Sequence, residues 1–242
     1  GVEELPAGYI PPAVAQLSAS METALKGSRL AFERIESYAT PVRLVIRVGA
    51  ISARQEAQRE KISGPSKEAA FDKDGGPTQA CLGFLKSRAA EIKDNKIENT
   101  PKGEYIFLER LKESLPAKRV LADALPKIIC SLRFPKVMKW ESGGIKFARP
   151  IRTMLALYGD EIVAFKIGQL SSSDMTRPPR YHEPVMTPVK VKSINDYFLK
   201  MREYEVVLSQ EERKKAILKS LGKCADMVGA AKEFNSDLLN TV

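Results

Sequence analysis

The chain has 242 residues, and its 39 Lys and Arg exceed its 30 Asp and Glu, which gives a net charge of +9 with the single histidine, His182, neutral. A hydrophobic share of 43% is enough to form a core and excludes a wholly disordered chain, while no apolar run approaches the roughly 20 residues of a membrane span. The excess of positive charge favours a polyanionic partner. The alternative is that this charge serves only to keep the protein in solution.

In chain order, the first half predicts helices and strands with turn-rich segments between them. Its elements are the end of a strand that starts before Gly1 (1–6), a helix from Pro11-Pro12 to Gly27, a strand (32–39), a bend at Thr40-Pro41, a strand (42–51), turns (63–65 and 72–77), short helices (68–71 and 78–90), a polar loop (94–102) and a strand (105–111). Apolar residues alternate with their neighbours at Leu44, Ile46 and Val48, so the strand over 42–51 has one clearly apolar face.

The second half predicts helices around short strands. Its elements are a helix that begins at Pro116 and is kinked or divided at Pro126, strands (151–158 and 161–166) around the hairpin turn Gly159-Asp160, an exposed loop or edge segment (171–188), a helix (193–203), a brief strand (205–208) and a helix from the capping box Ser209/Glu212 to Leu221.

Strands and helices mix without βαβ regularity, so we expect an α+β fold of antiparallel sheets with packed helices. We expect an N-terminal body over residues 1–200, with a candidate subdomain border near 113–116, and the start of a helical extension over 201–242. The three cysteines, Cys81, Cys130 and Cys224, are widely spaced. Their spacing argues against a disulfide framework or a zinc site and fits the cytoplasm, and their apolar neighbours predict buried thiols.

The sequence has none of the common catalytic motifs: no phosphate-binding P-loop, no G-x-S-x-G, no H-E-x-x-H and no EF-hand loop. His182 lies in a basic loop, where a solvated or phosphate-contacting role is favoured over a general base. Glu3 and Glu4 are neighbours in an extended segment and point to opposite faces. We therefore expect no catalytic residue, and a hydrolytic editing site using Glu3, Glu4 or His182 is the least favoured alternative.

The most informative stretch is residues 133–152, which has six basic residues and one acidic residue, Glu141. The basic candidates for RNA or partner binding are Arg133, Lys136, Lys139, Lys146, Arg149 and Arg152, and Arg177 and Arg180 extend the surface. Phe134, Trp140 and Phe147 interleave with these cations, a mixture suited to phosphate neutralisation beside stacking surfaces. The alternative, which we favour for the aromatics, is that their rings lie in the core beneath a small sheet and that the cations lie on the solvent-exposed face of this sheet. The role of the cations stays open, and Trp140 is retained as a binding candidate.

Several motifs resemble those of the β subunit of bacterial heterotetrameric glycyl-tRNA synthetase, in the same order. They are Val2-Glu-Glu-Leu-Pro6, Thr40-Pro-Val-Arg43-Leu44, Gly64-Pro65, Ala70-Phe-Asp72, Gly76-Pro-Thr78, Gly83-Phe84, Lys102-Gly-Glu-Tyr105, Phe134-Pro-Lys-Val-Met-Lys-Trp140, Phe147-Ala-Arg-Pro-Ile-Arg152 and Glu211-Glu-Arg-Lys214. The chain departs from the family pattern at Val42, where an arginine is usual, and at Gln79, where a lysine is common. In the loop at 177–181 the usual histidine is replaced.

The resemblance implies a function that the motif search could not supply. It implies that the chain is the N-terminal part of the β subunit, and that the HD-like and anticodon-binding domains lie beyond residue 242. It further implies an α2β2 ligase that joins glycine to tRNA(Gly) with ATP and Mg bound in the α subunit, so no cofactor is expected in this region. Residues 1–242 would then contribute to tRNA binding and α/β assembly, and would be inactive alone. The alternative is a protein-interaction scaffold within the synthetase that makes no direct RNA contact.

Overall fold

A computed structural model of the chain describes residues 1–72, 74–101, 103–140, 143–179, 187–231, 233 and 235–240. The helices are α1 (Ile10–Gly27), α2 (Lys67–Ala70), α3 (Gln79–Lys86), α4 (Ala117–Ser131), α5 (Ile194–Glu203), α6 (Gln210–Val228) and α7 (Ser236–Asn240). The strands are β1 (Ile35–Thr40), β2 (Arg43–Val48), β3 (Gln58–Ser66), β4 (Asn95–Thr100), β5 (Gly103–Lys112), β6 (Met138–Lys139), β7 (Lys146–Phe147), β8 (Met154–Leu155), β9 (Leu157–Tyr158), β10 (Glu161–Ile162), β11 (Lys166–Ile167), β12 (Leu170–Ser173), β13 (Met175–Thr176) and β14 (Val189–Lys190).

The chain forms two compact units. Residues 1–55 and 116–242 make up unit 1, and residues 56–115 make up unit 2. The border at residues 115 and 116 lies where the sequence suggested a break, whereas the border at residues 55 and 56 was not foreseen. The division into a body over 1–200 and a helical extension over 201–242 stays a prediction.

Unit 1 opens with the predicted helix and strand pair. In α1, Pro11 and Pro12 occupy the first turn, where a missing N–H costs no intrahelical bond, and the residues at helical spacing are buried on one face. Strands β1 and β2 form an antiparallel hairpin in which Thr40 pairs with Arg43 across a two-residue turn. These predictions are confirmed, although both strands are shorter than expected.

The remainder of unit 1 consists of α4 to α7 and short strand pairs. Helix α4 runs through Pro126 without being divided. The two long strands predicted around Gly159-Asp160 were wrong in length, because they are interrupted and form several two-residue pairs. The hairpin turn itself is confirmed, with Tyr158 paired to Glu161 and Gly159 at φ +65°. Strands β8 and β12 form a parallel pair within an otherwise antiparallel set.

Three further predictions in unit 1 need correction. Residues 171–179 are not simply a loop, since they include β12 and β13. Residues 205–208 form no strand. Helix α6 starts as expected with the Ser209 hydroxyl accepting from the Glu212 amide, but it continues past Leu221 to Val228, where Gly229 at φ +64° ends it.

Unit 2 is an antiparallel sheet in the order β3-β5-β4, and α2 and α3 pack on it. Its core contains five buried residues: Ala70, Cys81, Leu85, Ile106 and Leu108. Strand β5 and the short helices α2 and α3 were predicted correctly. The prediction of a turn over 63–65 was wrong, since these residues lie inside β3 at a register shift between Ser63 and Ser66. The prediction of a loop over 94–102 was also wrong, since this segment contains β4. The observed class is α+β, as predicted. Among the described residues, no helix is both long and apolar enough to cross a membrane.

Candidate nucleic-acid interface

The two motifs at the centre of the basic stretch meet in a small hairpin of unit 1. Strands β6 and β7 are antiparallel, with Met138 opposite Phe147 and Lys139 opposite Lys146. Phe147 is 2% exposed and points into the core. Because side chains alternate between the two faces of a strand, Lys146 and the opposite Lys139 lie on the outer face. Like charges directly opposite each other destabilise a strand pair, and an anion bound to both ammonium groups would remove that cost.

The aromatic residues of this stretch point mainly into the core. The rings of Phe134 and Phe147 lie edge to face with centroids 4.8 Å apart, and Tyr9 lies 6.0 Å from Phe134. Phe134 packs against a core cluster that includes Leu5. The interpretation of Phe134 and Phe147 as core anchors is therefore confirmed. Trp140 is half-buried, and its buried indole Nε1 has no hydrogen-bond partner within the part of the chain that the structure describes.

The described candidate cations are all exposed. Arg152 forms an ion pair with Glu3. The other six have no carboxylate partner among the described residues; they are Arg133, Lys136, Lys139, Lys146, Arg149 and Arg177. Arg180 lies outside the described residues. The structure brings Lys139 and Lys146 into direct opposition, which sequence order alone did not indicate.

Unit 2 shows the opposite arrangement of charge. Its residues include eleven Lys and Arg and eleven Asp and Glu, so the whole surplus of +9 belongs to unit 1. Several of its cations form ion pairs between elements: Lys96 of β4 lies 2.8 Å from Glu109 of β5, Lys67 of α2 lies 2.8 Å from Glu104 of β5, and Lys61 of β3 pairs with Glu98 of β4. The Lys96 hydrogen bond also holds the pKa of Glu109 below its usual value. A polyanion would therefore be attracted to unit 1 rather than to unit 2.

Two arginines that sequence reasoning did not single out donate hydrogen bonds to backbone carbonyl oxygens, and one of them, Arg43, contacts Arg177. Arg43 is 8% exposed, and its guanidinium donates to the Arg177 carbonyl and to the Tyr197 hydroxyl. Burial raises the pKa of Tyr197, and Arg43 opposes that rise. Arg213 donates to the carbonyl oxygens of Ala39, Val207 and Leu208 at 2.7–3.0 Å. Both arginines lie within the family-like motifs, which were the signal that could have identified them.

Comparison of the amino-acid sequence with known proteins assigns the chain to a family. The family model described as glycyl-tRNA synthetase beta subunit matches residues 1–242. The chain belongs to this family. It is 37% identical over 242 residues to the glycine–tRNA ligase beta subunit of Dictyoglomus thermophilum, 37% to that of Syntrophus aciditrophicus and 36% to that of Clostridioides difficile, in each case over 100% of this chain and 35% of the relative. The chain thus spans about a third of the length of these relatives.

In this member of the glycyl-tRNA synthetase beta subunit family, the residues considered for an editing site do not form one among the described positions. Glu3 is paired with Arg152, Glu4 is exposed, and His182 lies outside the described residues. The described residues include no group of three or more His, Cys, Asp or Glu arranged to bind a metal. Cys81 is buried, but Cys130 and Cys224 are exposed, so the prediction of burial was wrong for two of the three thiols. All three are free.

Proposed function

We propose that residues 1–242 contribute to tRNA(Gly) binding and to α/β assembly in glycine–tRNA ligase, and that they hold no catalytic residue. In this proposal the α subunit binds ATP and Mg and joins glycine to tRNA within a cytoplasmic α2β2 enzyme. The names of the relatives support the ligase, and the exposed basic surface of unit 1 supports the contact with RNA.

One observation carries the RNA-binding part: the exposed pair Lys139 and Lys146, which face each other across the β6–β7 hairpin. No described carboxylate neutralises either lysine, so a phosphate between them is the simplest partner that turns an unfavourable pair into a favourable site. Arg149 and Arg177 are also exposed without a described carboxylate partner and extend the cationic surface. Affinity gained in this way comes from counterion release and is steeply salt-dependent.

The test compares two double variants of the full-length β subunit. Lys139→Ala with Lys146→Ala removes the opposed pair, while Lys86→Ala with Lys112→Ala removes two exposed lysines of unit 2 and the same total charge. Binding of tRNA is measured by fluorescence anisotropy over a series of salt concentrations. We expect the first variant to bind more weakly and to lose about 0.9 from the slope of log K against log salt for each lysine that contacts a phosphate. The control variant should keep the wild-type slope.

Equal slopes for wild type and the Lys139/Lys146 variant would reject phosphate binding at this hairpin. The scaffold alternative predicts a different result: the same variant would dissociate the α–β complex at constant tRNA affinity. Sedimentation of the mixed subunits measures that outcome directly. Turnover of glycyl-adenylate or of charged tRNA by the purified β subunit alone would contradict the absence of catalytic residues.

A further inference from the structure

Arg43 is a buried cation whose charge no described carboxylate neutralises. It is 8% exposed and belongs to none of the ion pairs between described residues. Its guanidinium donates to the Arg177 carbonyl and to the Tyr197 hydroxyl. Burial of an arginine is unfavourable unless the contacts that it makes offset the loss of its hydration. The two groups that Arg43 binds therefore indicate its role.

The β1–β2 hairpin fixes the position of Arg43. Its backbone pairs with Thr40 across the two-residue turn. The carbonyl of Ala39, next to Thr40, accepts from Arg213 of α6 at 2.8 Å, so a second element holds the same end of the hairpin. From this fixed point the Arg43 side chain reaches α5, where Tyr197 is itself buried, and the segment that follows β13.

The segment that follows β13 has few means of fixing its own backbone. The pairing of β13 with β14 extends only as far as Thr176. Arg177 is followed by two prolines, which have no N–H group to donate. Within the described part of the chain, the bond from Arg43 is the one hydrogen bond made by residues 177–179. The position of Arg177 on unit 1 therefore depends on Arg43.

We propose that Arg43 is a positioning residue for RNA binding, which ties the Arg177 segment to α5 and so holds the Arg177 guanidinium ready for a phosphate group of tRNA. The inference rests on the proposed binding of tRNA and deepens it, because Arg43 acts through Arg177 and touches no RNA. Arg177 is exposed and has no carboxylate partner in the described part of unit 1. A side chain that is already held in place loses less conformational freedom on binding.

The geometry of arginine, and not its charge alone, suits this role. A guanidinium carries five N–H donors on a planar group and can bond acceptors of two elements at once, whereas a lysine ends in a single nitrogen. Burial raises the pKa of Tyr197, so its hydroxyl stays neutral and protonated while it accepts from Arg43. Arg43→Lys therefore keeps the positive charge but cannot keep both bonds in the same geometry.

The first test measures order at position 177 without RNA. In the full-length β subunit, Arg177→Cys keeps the backbone carbonyl that Arg43 binds and provides a site for a nitroxide spin label. The exposed Cys130 and Cys224, with any other exposed cysteine of the subunit, are replaced by serine. We expect Arg43→Lys to increase the mobility of this label, seen as narrower lines in its EPR spectrum. The same label at the exposed Arg149, as Arg149→Cys, is the control and should keep its spectrum.

A milder variant covers the case in which Arg43→Lys does not fold. Tyr197→Phe removes the hydroxyl that accepts from Arg43 and keeps the buried ring. It should increase the mobility of the label at position 177 in the same direction, by a smaller amount. An unchanged spectrum at position 177 in the folded variants, or an equal change in the label at Arg149→Cys, would overturn the proposal.

The second test asks whether this order matters for tRNA. Binding over the salt series is compared for Arg177→Ala, Arg43→Lys and the double variant of the full-length subunit. Arg177→Ala should lower the slope of log K against log salt by about 0.9. Arg43→Lys should show most of the same loss, and the double variant should bind no more weakly than Arg177→Ala, because both residues act through one phosphate contact. Additive losses, or wild-type binding by Arg43→Lys, would reject the positioning role.

The Lys139→Ala, Lys146→Ala variant separates this inference from the proposed function. If that variant binds tRNA more weakly while Arg43→Lys binds as wild type does, only the role of Arg43 is rejected. If neither variant changes tRNA binding, the proposed contact with RNA is rejected, and the role of Arg43 in it is rejected with it.

Discussion

Two glycines of unit 2 should respond in opposite directions to the same substitution. Gly64 lies in β3, where an added Cβ would come within 2.7 Å of Ile106 Cγ1 and 2.7 Å of Phe84 Cε1. Ile106 is fully buried, so it has little room to move. Gly83 lies in α3, and a Cβ there would meet no atom within 4 Å. We expect Gly64→Ala to destabilise unit 2 by about 1–3 kcal/mol through overpacking, and Gly83→Ala to stabilise it by about 0.5–1 kcal/mol through helix propensity.

Hydrogen exchange of the Ile106 and Leu108 amides measures this free energy within unit 2 itself. Since about 1.4 kcal/mol corresponds to a factor of ten, Gly64→Ala should speed exchange about five- to 150-fold, and Gly83→Ala should slow it several-fold. Because the two variants add the same methyl group, the comparison separates local crowding from a general effect of alanine. Unchanged or slower exchange in Gly64→Ala would refute the packing argument.

Three further substitutions test unit 1. Ser209→Ala should cost about 1 kcal/mol in urea denaturation by removing the cap of α6, and a loss below a few tenths would contradict a role for that cap. Phe147→Ala should cost about 3–5 kcal/mol in the same assay, whereas its exposed neighbour Lys146→Ala should change stability by less than about 0.5 kcal/mol; similar losses would contradict the assigned faces. The hydrogen bond from Lys200 holds the pKa of Asp196 below its usual value, so its ionised form stabilises the fold above about pH 4, and this contribution is lost as pH falls through the folded pKa. Asp196→Asn should therefore flatten the acid-side dependence of unfolding free energy on pH, and an unaltered slope would exclude this carboxyl group.

The elements that sequence patterns predicted well are those in which apolar spacing determines the structure. Helix α1 buries residues at helical spacing, and the cap of α6 has the expected serine, Ser209. Strand β4 lacks such a pattern. It pairs with β5 along its whole length, and its charged side chains form exposed ion pairs, Lys96 with Glu109 of β5 and Glu98 with Lys61 of β3. A search for hydrophobic alternation therefore interprets this strand as a polar loop.

Turn-forming residues misled the prediction at β3. Gly64 and Pro65 are typical of a turn, but here they lie at the shift in register between Ser63 and Ser66, where a strand tolerates proline and where close packing requires glycine. The basic surface was foreseen from composition, since its cations are clustered in sequence. The opposition of Lys139 and Lys146 depends on strand register, which composition does not specify.

The ends of unit 1 that flank residues 56–115 lie side by side. Arg54 and Pro116 form an isolated antiparallel bridge, and the Ala117 amide donates to the Ala53 carbonyl at 2.9 Å. Because the chain leaves unit 1 and returns to it at adjacent points, residues 56–115 can be removed or replaced with little change to the structure of unit 1. Excising residues 56–115 and closing the gap with a short glycine-containing turn should yield a minimal host domain that retains every excess positive charge of the chain.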